Sequence, residues 1–145
     1  MSVDTSGKWW KGSEFADLAK YLKCLKPGGY RVDDVKQSVC PCGNRLFRVF
    51  VDQDDELSQR KCAKCGAKAF IADSEEFWAG ASPKKMRCSC KNDVYEVGIG
   101  FTLGKGKDWV RWMSVGMRCA KCGILSSPVD WKSDYELTDP VLKNI

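Results

Sequence analysis

The stretch RKCAKCGAKAFIADSEEFW, residues 60–78, has a counterpart later in the chain, because MRCAKCGILSSPVDWKSDY at residues 117–135 repeats its pattern. Aligned without a gap, both stretches contain Cys-Ala-Lys-Cys-Gly, and Asp73 and Trp78 correspond to Asp130 and Tyr135. Internal similarity of this kind indicates that one structural unit is used twice along the chain.

A second pair of cysteines precedes each Cys-Ala-Lys-Cys-Gly sequence. CPCG at residues 40–43 lies 19 residues before the first copy, and CSCK at residues 88–91 lies 28 residues before the second, counted between the cysteines. Both units therefore read Cys-x-Cys, a spacer and Cys-x-x-Cys. Eight of the nine cysteines fall into two sets of four, and Cys24 is left over.

Size and composition favour a folded chain whose small cores need help. The chain has 145 residues, 43% of them hydrophobic, and units of about 40 to 55 residues are near the size at which a core alone is marginal. No apolar run is long enough for a membrane span, and the N-terminus lacks the apolar segment of a secretory signal. We therefore expect a cytoplasmic protein without a membrane partner. In a reducing compartment, paired cysteines bind metal more often than they form disulfides.

The formal net charge of +5 has to be corrected for bound metal. Four thiolates around one Zn²⁺ carry about −2, so two such sites lower the total to about +1. Residues 39–80 contain six Lys and Arg against seven Asp and Glu, whereas residues 81–145 contain eleven against seven. The whole chain is not expected to bind polyanions by charge, but its second half is a candidate.

Residues 1–38 are predicted to form an extended segment and one helix. Ser13 suits the N-cap position, and PGG at residues 27–29 ends the helix at about Lys26. Apolar side chains recur at helical spacing on one face, namely Phe15, Leu18, Ala19, Leu22 and Leu25. This face needs a partner, and we expect the first metal unit to supply it.

Residues 39–80 and 81–145 are predicted to be two β units, joined by a hinge at AGASP, residues 79–83. Each unit contains two alternating stretches separated by a turn, which predicts a hairpin: RLFRVFVD with LSQRKC, and DVYEVGIGFTL with DWVRWMSVGMRC. A shorter third strand is expected after each Cys-x-x-Cys-Gly sequence, in KAFIA and in ILSSPV. The units could pack pseudo-symmetrically.

This arrangement resembles a tandem pair of four-cysteine zinc ribbons over residues 39–135. The resemblance implies an α+β protein that is mostly β, with an N-terminal helix before two zinc-ribbon-like antiparallel units, and two bound Zn²⁺ ions. The ligands that it implies are Cys40, Cys42, Cys62 and Cys65 for one ion, and Cys88, Cys90, Cys119 and Cys122 for the other. Zinc ribbons usually have Cys-x-x-Cys where this chain has Cys-x-Cys, and the shorter spacing tightens the local turn. The spacing also resembles the zinc centre of the redox-activated bacterial chaperones, which implies a thiol redox switch as one alternative.

Other features suggest binding surfaces. Cations and aromatic side chains alternate near the tip of the second hairpin, a mixture that suits contact with bases and phosphates: Lys105, Lys107, Trp109, Arg111 and Trp112. The alternative is that Trp109 faces the core and the lysines belong to an ordinary turn. Trp9 and Trp10 could likewise form a patch for a protein partner, or pack against the helix or the first metal unit, and Cys24 is expected to be exposed.

Catalysis is not expected. The chain has no histidine, the commonest general base and a usual ligand of catalytic zinc. Each predicted metal site has four cysteines and no obvious open position, and Asp73 and Asp130 are explained by turns after the third strands. We therefore expect a non-enzymatic zinc-binding protein that serves as a protein-interaction or adaptor module. Nucleic-acid binding through the second hairpin is the main alternative.

Overall fold

The computed structural model describes residues 5–7, 9–71, 74 and 78–136. Helix α1 spans Phe15–Leu25, and short 3₁₀ turns lie at Pro27–Gly29 and Trp78–Gly80. The strands are β1 (Asp34–Gln37), β2 (Phe47–Asp52), β3 (Leu57–Cys62), β4 (Lys68–Phe70), β5 (Lys84–Lys85), β6 (Tyr95–Leu103), β7 (Trp109–Cys119) and β8 (Leu125–Glu136). The protein is therefore mostly antiparallel β-sheet with an N-terminal helix.

All eight strands belong to one sheet. Its order is β4-β3-β2-β6-β7-β8, with β1 paired to β6 and β5 paired to β2. The β2–β3 and β6–β7 hairpins are the two predicted from the alternating stretches, and they meet where Phe47 pairs with Tyr95. Strand β1 was not predicted.

The segment predicted as a hinge is bonded to the first hairpin. Ser82 N donates to Asp52 Oδ2 at 2.8 Å, and β5 follows with an antiparallel pairing to β2. Lys85 then forms an ion pair of 3.0 Å with Asp93, beside the second cysteine group. The unit boundary after residue 80 stays a prediction.

Helix α1 packs on the second hairpin, so the expectation that it covers the first metal unit was wrong. Buried Leu18 and Leu22 lie over Gly116, where an added Cβ would be 2.7 Å from Leu22 Cδ1. Phe15 covers Gly98 in the same way, at 2.9 Å. The missing side chains on β6 and β7 leave a shallow surface against which the apolar face of the helix fits.

The helix ends differ in detail from the prediction. Glu14 occupies the N-cap position, and Asp17 accepts hydrogen bonds from the backbone N–H and the hydroxyl of Ser13. Lys26 ends the helix with a φ of 51°. Leu25, counted on the apolar face, is 45% exposed.

Strand β8 is the longest strand described, whereas the sequence predicted a short one. Its pairing with β7 is irregular between Val115 and Met117, near Pro128. Proline is tolerated there because β8 is an edge strand whose pairing is already interrupted at this point. Pro128 O accepts a hydrogen bond of 2.9 Å from Gln53 Nε2, which brings the tip of the first hairpin to this strand.

The main core lies on the face of the sheet opposite α1. Side chains from both hairpins and from β8 form one buried cluster, including Phe47, Val49, Val97, Ile99, Met113, Val115 and Trp131. The N-terminal segment closes the other side, where Leu125 N donates to Trp10 O at 2.8 Å. Within the described residues, no helix has the length and apolar character needed to cross a membrane.

Candidate metal centres

The first centre brings together the four cysteines of the first unit. Cys40 and Cys42 lie in the loop before β2, Cys62 ends β3, and Cys65 lies in the following turn. Their sulfur atoms all lie within 4.8 Å of one another, with 3.5 Å between Cys40 and Cys65 and 3.7 Å between Cys42 and Cys62.

The second centre repeats this geometry in the second unit. Its four sulfur atoms also lie within 4.8 Å of one another. The Cys88–Cys122 distance is 3.4 Å and the Cys90–Cys119 distance is 3.6 Å. The structure therefore groups the eight candidate ligands as the sequence predicted, and each group could hold a metal ion.

The Cys-x-Cys spacing forms a closed turn in both units. In the first, Gly43 N donates to Cys40 O at 2.7 Å, and Cys40 N donates to Asn44 O at 2.8 Å. In the second, Lys91 N donates to Cys88 O and Cys88 N to Asn92 O, both at 2.8 Å. Gly43 and Lys91 occupy the same position with φ values of 92° and 76°. The tight turn thus supplies two ligands despite its short spacing.

The Cys-x-x-Cys turns also correspond. Gly66 N donates to Cys62 O at 3.1 Å, and Gly123 N donates to Cys119 O at 3.0 Å. These glycines have φ values of 78° and 82°, in the left-handed region that side chains disfavour. The positive φ therefore favours glycine after each pair.

Asn44 and Asn92 are functional residues that the sequence reasoning missed. Asn44 Nδ2 donates to Cys62 Sγ at 3.2 Å and to Leu46 O at 2.7 Å. Asn92 Nδ2 donates to Cys119 Sγ at 3.3 Å and to Val94 O at 2.6 Å. The signal was present, because each asparagine stands four residues after the first cysteine of its unit.

These donors favour a thiolate at one cysteine of each metal-free centre. The backbone N–H of Cys65, assisted by Asn44, lowers the pKa of Cys62 to about 5. Burial opposes ionisation of Cys119, but hydrogen bonds from Cys122 N and Asn92 outweigh it and lower the pKa to about 6. Burial and the neighbouring sulfur atoms raise the pKa of Cys122 to about 12. The thiol of Cys122 therefore needs a nearby cation before it ionises at neutral pH.

The donor set fits a tetrahedral divalent ion. Zinc–sulfur bonds of about 2.3 Å place tetrahedral sulfur atoms about 3.8 Å apart, close to the shortest pairs in both centres. Four sulfur ligands select Zn²⁺ or iron over the hard cations that prefer oxygen. Zinc sites with four cysteine ligands are usually structural.

The aromatic side chains at the second hairpin tip contact the protein itself. Trp109 packs on Gly104 and donates from Nε1 to Lys105 O at 3.1 Å. Trp112 lies beneath Gly28 and 5.6 Å from the Tyr30 ring, and the Arg111 guanidinium lies 4.5 Å above that ring. Trp109 thus contacts the turn that holds Lys105, whereas Arg111 and Trp112 contact Tyr30, and Lys105, Lys107 and Arg111 are exposed.

Trp9 and Trp10 have different surroundings. Trp10 packs edge-on against Tyr21 at 5.8 Å, whereas Trp9 is 46% exposed. Trp9 lies between two open grooves of about 400 and 370 Å³. Cys24 and Leu25 line the second groove, and Cys24 is exposed as expected.

The sequence alignment of the two units pairs Asp73 with Asp130. Asp130 lies within β8, opposite Ser114, and not after the third strand as expected. Asp73 lies outside the described residues.

Comparison of the chain with protein-family models, with curated proteins and with solved structures finds no match.

Proposed function

We propose that this chain is a non-enzymatic zinc-binding protein whose two four-cysteine centres stabilise a module for binding another protein. The cysteine groups support the zinc part of the proposal, because each offers four sulfur ligands within 4.8 Å of one another. The zinc ions would have a structural role, since four protein ligands leave no open coordination position.

The exposed surface around Trp9 is the observation that carries the binding role. Trp9 and Leu25 are the two most exposed large hydrophobic side chains of the described residues, at 46% and 45%. They share one groove. Tryptophan is enriched among the residues that contribute most to protein interfaces. Exposed Lys11 and Lys20 are the sequence neighbours of Trp10 and Tyr21, which line this groove, so the partner we propose presents an apolar side chain flanked by acidic residues.

Selection from a random peptide library against the zinc-loaded protein tests this proposal. Selected peptides should share an apolar anchor with neighbouring Asp or Glu, and Trp9→Ala or Leu25→Ala should weaken their binding at least about tenfold. Val39→Ala is the matched control, because Val39 is also exposed, at 39%, but does not line either groove. Peptides without a shared pattern, or equal losses in all three variants, would contradict the proposal.

Nucleic-acid binding through the second hairpin is the second candidate. The exposed cations favour it, but Trp109 and Trp112 already pack against the protein, which leaves less ring surface for stacking on bases. Lys105, Lys107 and Arg111 could neutralise about three phosphates, which gives a log–log salt slope of about −2 to −3. This candidate would be favoured over the protein-binding module if oligonucleotides bind at micromolar concentration with that slope at about 150 mM salt. The binding should then be lost when Lys105 and Lys107 are replaced by alanine.

A further inference from the structure

Arg60 is a buried cation next to the first metal centre. The residue is 6% exposed, and its Nε and Nη1 atoms have no hydrogen-bond partner among the described residues. Its guanidinium lies 4.7 Å above the ring of Phe47. A buried charge is unfavourable unless it is paired, so this position calls for an anion nearby.

The sheet places Arg60 on the same side as the cysteines of the first centre. Arg60 and Cys62 are two residues apart in β3, and strand side chains two apart share a face. Phe47, under the guanidinium, pairs with Cys62 across the β2–β3 hairpin. Arg60 and Cys62 therefore lie on one face of β3, and the ring under the guanidinium belongs to the residue opposite Cys62.

We propose that Arg60 is the counter-charge of the first metal centre, and that the two centres therefore differ in what holds their metal. The inference rests on the proposed zinc binding. A divalent ion with four thiolates carries about −2, and a buried guanidinium offsets about half of that charge without contacting the metal. The aligned position of the second unit holds buried Met117, which carries no charge.

Arg60 and the metal-loaded first centre are expected to stabilise each other. The metal-loaded centre supplies the anion that Arg60 lacks, and Arg60 stabilises the anionic centre. Some groups lie outside the coordination sphere but support the metal ligands, and removing one typically weakens metal binding about 10- to 100-fold. We expect such a loss at the first centre alone when the charge at residue 60 is removed.

Cadmium-113 NMR of the full chain distinguishes the two centres. Wild-type protein loaded with ¹¹³Cd²⁺ should give two resonances typical of four-sulfur sites, assigned by their couplings to the cysteine β-protons. Titration with a chelator then measures the affinity of each centre separately. Arg60→Met preserves most of the side-chain length and introduces the residue of the second unit, whereas Arg60→Lys preserves the charge.

Arg60→Met should weaken binding at the first centre by about 10- to 100-fold and leave the second within about threefold of wild type. Arg60→Lys should retain most of the affinity at both. The inference would be overturned if Arg60→Met binds metal at the first centre as tightly as wild type. It would also be overturned if Arg60→Lys loses as much affinity as Arg60→Met, or if Arg60→Met loses affinity equally at both centres. If Arg60→Met does not fold, Arg60→Gln makes the same comparison. A wild-type chain without either resonance would instead refute the proposed metal binding itself.

Discussion

The packing of helix α1 on the second hairpin can be tested by adding one methyl group at Gly116. In Gly116→Ala, the new Cβ would lie 2.7 Å from Leu22 Cδ1 and 3.1 Å from Leu18 Cδ1, so the helix side chains must move. Overpacking of this kind costs about 1–3 kcal/mol. Replacing glycine also restricts the unfolded chain, which raises the free energy of unfolding by about 0.4–1 kcal/mol. Overpacking is the larger effect, and we expect a net loss of about 0.5–2 kcal/mol.

Gly80→Ala provides the matched control. No atom lies within 4 Å of a Cβ at this position, so only the effect on the unfolded chain remains. The difference between the two variants in free energy of unfolding therefore isolates the clash with the helix. Urea unfolding followed by circular dichroism, with zinc in excess, measures that difference.

A double-mutant cycle with Leu22→Ala makes the test specific to the helix. Leu22→Ala alone should cost about 2–5 kcal/mol, because the residue is fully buried. In that background the two closest atoms are gone, and Gly116→Ala should cost at least about 0.5 kcal/mol less than in wild type. If Gly116→Ala behaves like Gly80→Ala, or if its cost is the same with and without Leu22, the helix does not pack where the structure places it.

Three further predictions concern the metal centres. Protein purified under reducing conditions should contain two zinc ions in all-sulfur environments by metal analysis and X-ray absorption. Chelation should unfold the protein, because neither unit has a core that is sufficient without metal. Disulfides in place of metal, or an unchanged circular dichroism spectrum after chelation, would contradict this prediction. Asn44→Ala and Asn92→Ala should each lower the free energy of unfolding by about 2 kcal/mol, because each loses two hydrogen bonds. Asn44→Asp should lower it further, because it places a carboxylate beside Cys62. An Asp variant as stable as the Ala variant would argue against a thiolate at Cys62. Mass spectrometry after brief alkylation should find one modified cysteine, Cys24, in the metal-loaded protein and nine after chelation and denaturation; rapid alkylation of the grouped cysteines with release of zinc would favour the redox switch.

Features that depend on local sequence were the predictable ones. The cysteine pairs, the alternating stretches of both hairpins and the turns between them are set by residues close in the chain, and the structure contains these hairpins. The grouping of sulfur atoms followed from the same pairs, since each hairpin brings its two ends together.

The sequence analysis did not predict three features that depend on contacts between distant parts of the chain. Gly98 and Gly116 lie in the alternating stretches, but the alternation does not indicate that their missing side chains create the surface for α1. Strand β8 extends beyond the predicted ILSSPV because a proline at an irregular point of an edge strand breaks little pairing. Arg60 enters the sequence analysis only in the count of charges, because its burial depends on how the sheet covers it.

The pairing of Phe47 with Tyr95 joins equivalent positions of the two units. Each residue stands seven positions after the first cysteine of its own unit, and each lies opposite the leading cysteine of a Cys-x-x-Cys pair, Cys62 or Cys119. Like meets like across this antiparallel contact, as in the isologous interface of a two-fold homodimer. The contact between the two hairpins therefore has the local symmetry of a two-fold interface, although both strands belong to one chain. That symmetry does not extend to the whole molecule, because Arg60 lies beside the first cysteine group and helix α1 lies on the second hairpin.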